Sequence, residues 1–221
     1  MTEKEIFSYI DHTQLKAFAT WEDISKLCDE AITYGTASVC IPPCYIKRIH
    51  DTYGDKINIC TVVGFPLGYS VTTAKVAEVE QALKDGVSEV DMVINITDVK
   101  NGNYGAVQEE IATLKKAVGD KILKVIIETC YLTEAEKIAM CKAVTTAGAD
   151  FIKTSTGFGT GGATLADIEL FKANIGANVK MKAAGGVKSV ADMQAFIDAG
   201  CSRIGTSSAV QLINGNKTNE Y

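Results

Sequence analysis

Lys153 has the strongest claim to chemistry in this chain. It stands in FIKTSTGFGTGG, Phe151 to Gly162, where an apolar, strand-like run opens directly into glycines. Removing an unpaired ammonium from water is costly. Such a lysine is paired, half exposed, or working with a lowered pKa. A second lysine, Lys182, follows 29 positions later, directly before the glycine pair of KAAGGV. That interval suits one strand-plus-helix repeat, so the two lysines fall on neighbouring strands, about 4.8 Å apart. Two ammonium groups about 6 Å apart repel by about 3 kcal/mol at an effective dielectric of about 20, enough to lower one pKa by about two units. The neutral amine is the form that attacks a carbonyl and yields a Schiff base. Asp91, in EVDMVIN, sits near the end of another strand on its polar face. A carboxylate there can move protons during carbinolamine formation and collapse. Lys180 shares a face with Lys182 and is its rival; Lys182 is preferred because it lies nearer the strand end and abuts the glycines.

Three glycine-containing loops follow the last three strand-like runs: TGFGTGGAT (156–164), AAGGV (183–187) and GTSSA (205–209). Glycines let backbone N–H groups approach a phosphate closely, and Ser207 and Ser208 add donors. Barrel enzymes often bind phosphate on the loops after their last strands. Gly157, Gly159 and Gly162 also spell the dinucleotide fingerprint, but no acidic residue stands about 20 positions on, and too little chain follows for that domain.

Parallel strands must position these groups. Apolar runs at 37–41, 57–65, 89–95, 121–129, 149–155, 179–184 and 202–208 alternate with helix patterns, and YIDHT (9–13) is a weaker eighth. Several helix patterns end in glycine: Gly35, Gly86, Gly148 and Gly200. Repeated strand–helix alternation gives a parallel sheet with right-handed crossovers. Within EVDMVIN, Val90, Met92 and Ile94 form one apolar face, and Glu89, Asp91, Val93 and Asn95 form the other. An open doubly wound sheet would read apolar on both faces, whereas a barrel tolerates polar residues inside near its mouth. The expected fold is a single-domain (β/α)8 TIM barrel of the α/β class, spanning 1–221, with a mobile tail at 214–221.

The net charge of −5 argues against nucleic acid as a partner. No apolar run is long enough to span a membrane. The seven cysteines are odd in number and lack a CxxC pair, which suits a reduced, cytoplasmic chain. Cys40 and Cys44 have a metal-like spacing, but with only His12 and His50 as histidines a zinc site is not expected. His12 reads equally as a base or as a polar support of the first strand. His50 reads as an exposed helix residue, Cys40 and Cys130 as packing groups, and Glu128 as a group holding lysines in place.

Taken together, IDHTQLKAFAT, VCIPPCYI, VVGFPLG, EVDMVINI, KVIIETCYLT, ADFIKTSTGFGTGGAT, KAAGGV and RIGTSS cover nearly the whole chain in order. They resemble the deoxyribose-phosphate aldolase family. The resemblance implies Lys153 as the Schiff-base lysine, Lys182 as the second catalytic lysine, Asp91 as the proton-relay aspartate and Asp11 as its supporting carboxylate. It implies a phosphate site at Gly157, Gly185, Gly186, Gly205, Ser207 and Ser208. It also implies a role for Tyr221, since family members often end in tyrosine. Departures from the family pattern fall at Gln14, Ala17, Phe18, Gly159, Tyr69 and Lys188, and none removes a catalytic residue. The implied reaction is reversible cleavage of 2-deoxyribose 5-phosphate to glyceraldehyde 3-phosphate and acetaldehyde, with scission at C3–C4, in deoxyribonucleotide catabolism. No metal or organic cofactor is expected, because the imine is the electron sink. A homodimer or homotetramer is expected. Two other readings stay open: an imine-forming aldolase for another sugar phosphate or keto acid, and a non-catalytic barrel that binds phosphorylated ligands.

Overall fold

A computed structural model describes residues 1–215. Its eight strands are β1 (Ile10–Thr13), β2 (Ser38–Ile41), β3 (Ile59–Val63), β4 (Glu89–Val93), β5 (Ile122–Ile126), β6 (Phe151–Lys153), β7 (Lys180–Ala184) and β8 (Arg203–Thr206). All are parallel and close in sequence order, with β1 pairing both β2 and β8. The helices are α1 (Glu3–Phe7), α2 (Trp21–Tyr34), α3 (Ile46–Tyr53), α4 (Thr72–Asp85), α5 (Ile96–Lys100), α6 (Tyr104–Val118), α7 (Glu134–Thr146), α8 (Leu165–Asn174), α9 (Val190–Asp198) and α10 (Ala209–Ile213). The fold is the expected (β/α)8 barrel. The weak run at 9–13 proves to be the strand that closes the ring.

Local sequence explains the helices. In α2, Thr20 and Asp23 form a reciprocal capping box, a device in which the cap residue contributes about 1 kcal/mol. Ile24, Leu27, Cys28 and Ala31 recur at the helical period and are all buried against the barrel. Gly35 then adopts φ 70°, a left-handed conformation that ends the helix without a Cβ penalty.

Strand parity creates two different interiors. Outward residues such as Val39, Ile59, Val90, Met92, Leu123, Val125, Ile152 and Ile204 build the main core against the helices. Burying each large aliphatic side chain there is worth about 1.5–3 kcal/mol. The inward face is mixed. Cys40, Cys60 and Val62 form a small apolar cluster topped by Leu15 and Phe65. Charged side chains of β1, β4, β5, β6, β7 and β8 share that face.

β6 ends at Lys153, two residues before the end of the apolar run that foretold it. The Thr154 hydroxyl accepts the Ala184 N–H and donates to the Ala184 carbonyl, both at 3.1 Å, so a side chain takes over where a backbone ladder would continue. On the outer side, Lys75 of α4 is fully buried. Its ammonium donates to the Val93 carbonyl at 2.9 Å and pairs with Glu110 at 2.8 Å. That contact fixes the end of β4, just beyond Asp91.

Candidate active site

Register brings the predicted groups together. Lys153 and Lys182 are direct partners across β6 and β7, as their spacing required. Both side chains are buried, with Lys182 wholly so and Lys153 3% exposed. Lys180 lies at the other end of β7 and is exposed, with its ammonium 5.8 Å from the centre of the Phe151 ring. Lys182 is the one that reaches the other charges.

The two lysines do not face each other bare. Asp91 Oδ2 lies 2.7 Å from Lys153 Nζ and 2.7 Å from Lys182 Nζ, bridging them. Asp11 Oδ2 lies 2.5 Å from Lys182 Nζ. Simple repulsion between two ammonium groups is therefore not the local electrostatics. Burial pushes Lys182 toward neutrality, but Asp11 and Asp91 outweigh it and hold its pKa above the usual lysine range. Burial likewise pushes Asp91 upward, yet Lys124, Lys153 and Lys182 keep it ionised, well below the usual carboxylate range. Asp11 is depressed in the same way: burial opposes ionisation, and Lys124, Lys182 and Arg203 prevail.

Beneath this pair lies a second tier that the sequence reading did not assign to the site. Lys124 of β5 approaches Glu89 Oε2 at 2.5 Å, Asp91 Oδ1 at 2.9 Å and Asp11 Oδ2 at 3.5 Å. Arg203 of β8 reaches Asp11 Oδ1 at 3.1 Å and forks onto Glu89 at 2.8 and 3.0 Å. Ser38 donates to Asp11 Oδ1 at 2.8 Å. Four cations thus face three carboxylates, an excess of one positive charge. Lys153 touches one carboxylate, Lys182 two and Lys124 three.

Cys40, Cys60 and Asp91 place ligand-type atoms within 4.8 Å of one another. The place for a cation beside them is already taken. Lys124 Nζ sits 3.3 Å from Cys60 Sγ and 2.9 Å from Asp91 Oδ1. Burial pushes the Cys60 thiol up, so it remains S–H and donates to Asp91 Oδ1 at 3.2 Å. Cys44 is exposed, so the Cys40–Cys44 spacing does not converge on a site.

The predicted phosphate loops meet at the C-terminal rim. Gly157, Gly185 and Gly186 have φ of 86°, 78° and 70°, which favour glycine. The loops after β6 and β7 touch: a Cβ on Gly162 would stand 2.3 Å from the Gly185 carbonyl oxygen. Ser207 is exposed at the rim, and the buried Ser208 donates its N–H to Thr206 Oγ1 at 3.2 Å. Gly205 has another use. It lies within β8, and a Cβ there would stand 3.2 Å from Lys182 Cε, so its bareness makes room for that side chain. Ser155 Oγ, two residues beyond Lys153, is buried without a protein partner.

Glu128 holds the glycine-rich loop rather than a lysine. Its carboxylate accepts the Thr156 N–H at 3.2 Å and also the Thr156 hydroxyl. Glu128 itself adopts φ 51°, a strained value for a side-chain residue, and burial raises its carboxyl pKa. Phe158 of that loop is 54% exposed and meets Phe65 edge-on, with ring centres 5.4 Å apart. His12 points outward to Glu30 of α2 at 2.8 Å, on the side of β1 away from the lysines. It supports the strand. Tyr221 lies outside the described residues.

The family model described as DeoC/LacD family aldolase matches residues 6–216. A deoxyribose-phosphate aldolase of Clostridium botulinum (strain Alaska E43 / Type E3) is 69% identical over 221 residues, covering 100% of both chains. One of Clostridioides difficile (strain 630) is 58% identical over 218 residues, covering 99% of this chain and 100% of the relative. A solved deoxyribose phosphate aldolase from Aeropyrum pernix, described as a unique tetrameric structure, superposes with a TM-score of 0.88 at 30% identity, covering 97% of this chain and 92% of that one.

Proposed function

The chain belongs to the DeoC/LacD aldolase family, and on that footing we propose that it cleaves 2-deoxy-D-ribose 5-phosphate reversibly through a Schiff base on Lys153. It is a carbon–carbon lyase whose products are D-glyceraldehyde 3-phosphate and acetaldehyde. Counting carbons corrects the expected scission. Acetaldehyde carries C1 and C2, so the bond that breaks is C2–C3, not C3–C4.

The observation that carries the residue assignment is the charge excess at Lys153. Releasing its proton brings the buried cluster to neutrality. Lys153 is the lysine of the cluster that touches a single carboxylate, and it stands at the C-terminal end of β6, beside the glycine-rich loops. Its free amine adds to C1 of the open-chain sugar. Loss of water gives the protonated imine, which takes up the electron pair when C2–C3 breaks. The proton of the C3 hydroxyl must leave at that moment, C2 must then gain one, and water must hydrolyse the resulting imine to release acetaldehyde and free the Lys153 amine. The Asp91–Lys182 pair is the carrier, because Asp91 Oδ2 adjoins both Lys153 and Lys182. Lys182 also supplies fixed positive charge, and Asp11 holds it in place. Proton transfer of this kind contributes about 10²–10⁴-fold.

The phosphate lies on the N–H groups of Gly185 and Gly186 and on Ser207 and Ser208, with Gly157 at the edge. Ser155 Oγ, buried and unpartnered, faces the substrate between Lys153 and that cradle. The same reading includes a homo-oligomer and a cytoplasmic setting; among the described residues no helix is long and apolar enough to cross a membrane.

Borohydride trapping with acetaldehyde, followed by peptide mapping, tests the assignment. An ethyl adduct on Lys153 is expected. An adduct on Lys182 reverses the two roles. No adduct, with 2-deoxyribose 5-phosphate left uncleaved, overturns the reading.

A further inference from the structure

The lower tier of the buried network lies under the reacting groups and takes no part in the steps above. We propose that Lys124 is a positioning residue whose charge, balanced by Glu89, sets how readily Lys153 releases its proton. The inference rests on the Schiff-base reading of Lys153.

Lys124 is completely buried and reaches three carboxylates on two strands. The charged and titratable groups facing it are Asp11 from β1, Cys60 from β3, and Glu89 and Asp91 from β4. Behind these stand Lys153, Lys182 and Arg203 from β6, β7 and β8, with Ser38 and Cys40 of β2 completing the wall. Glu128 is tied to Thr156 and is the remaining carboxylate near Lys153 among the described residues.

Lys124 fixes geometry as well as charge. It occupies Asp91 Oδ1 together with Cys60, leaving Oδ2 turned toward Lys153 and Lys182. Its charge matters through the count. With Lys124 present, the cluster is neutral once Lys153 has lost its proton. Without it, the same loss leaves a net negative charge, so Lys153 keeps its proton to higher pH. Removing the Glu89 charge acts in the opposite sense.

The test is kcat/KM for 2-deoxyribose 5-phosphate against pH in four proteins: wild type, Lys124→Met, Glu89→Gln and the double variant. The substrate phosphate titrates identically in all four. Lys124 Nζ lies 2.9 Å from Asp91 Oδ1 and Lys153 Nζ 2.7 Å from Asp91 Oδ2, so one carboxylate separates them; a unit charge about 6 Å away at an effective dielectric of about 20 shifts a pKa by about two units. The acid limb is expected to move up by about two pH units in Lys124→Met, to move down in Glu89→Gln, and to return close to wild type in the double variant. A limb that stays fixed while kcat falls, or that moves the same way in both single variants, overturns the proposal. If Lys124→Met does not fold, Glu89→Gln decides alone, since only an electrostatic role lowers its limb. Trapping on Lys153 in the wild type keeps the two readings apart. Trapping without opposite shifts sinks this inference only, and absence of trapping sinks both.

Discussion

Gly162→Ala separates phosphate recognition from imine chemistry. Gly162 does not occupy the left-handed region, so alanine is acceptable there on backbone grounds. Space is what it lacks. The new Cβ would stand 2.3 Å from the Gly185 oxygen and 2.9 Å from the Gly186 nitrogen, and both obstacles are backbone. Ordinary contact begins near 3.4 Å, so the loops after β6 and β7 must part by about 1 Å. A hydrogen bond from Gly185 or Gly186 to a phosphate oxygen does not survive that displacement. One charge-assisted bond is worth about 1.5–3 kcal/mol, or about 10- to 10²-fold in binding. Lys153 and Lys182 lie below these loops and keep their contacts with Asp91. The expected result is a KM for 2-deoxyribose 5-phosphate raised about 10- to 10²-fold, with turnover of unphosphorylated 2-deoxyribose within a few-fold of wild type. Steady-state kinetics on both substrates, beside a thermal melt, provides the measurement. Equal losses on the two substrates would refute the placement of the phosphate, and so would an unchanged KM.

Two further outcomes follow from the buried charges. Asp91→Asn keeps the shape but removes the anion shared by Lys153, Lys182 and Lys124; kcat is expected to fall by about 10²–10⁴-fold, and a single-turnover assay showing less than a 10-fold loss would exclude Asp91 from the relay. Stability should fall at both extremes of pH. Asp11 and Asp91 have depressed folded pKa values, so their contribution is complete above about pH 4 and is lost as pH drops below it. Lys124 and Lys182 have raised values, so theirs is complete below about pH 10 and is lost at higher pH. A urea midpoint flat from pH 7 down to pH 3 would contradict the acid arm.

Much of this was legible in the residues. Strict alternation in EVDMVIN placed Asp91 opposite the apolar face, and the interval from Lys153 to Lys182 placed two lysines side by side. Both inferences need only the two-residue period of a strand and the length of one repeat. β1 was faint because its inner face carries Asp11 and its outer face His12, leaving few apolar residues to mark it. Lys124 was overlooked although the same rule applies to it: a lysine in the middle of the apolar run ILKVII, in register with Asp91. Glu89 and Arg203 were invisible as partners for another reason. They are 114 positions apart and meet only across the closed barrel, a distance no local pattern encodes. The bridging position of Asp91 was likewise hidden, and with it the fact that the two lysines share a counterion.

Closure of the ring has a consequence for how the chain assembles. Arg203, on the last strand, grips Asp11 on the first, 192 positions away. Until those strands meet, the first holds a carboxylate destined for complete burial but not yet given all of its partners. Uncompensated charges resist leaving water, so a half-built barrel keeps its lumen wet. Burying that charge and joining the two edges therefore become one event. The ion network around Lys153 and Lys182 also acts as a clasp, because its Arg203–Asp11 pair joins the last strand to the first.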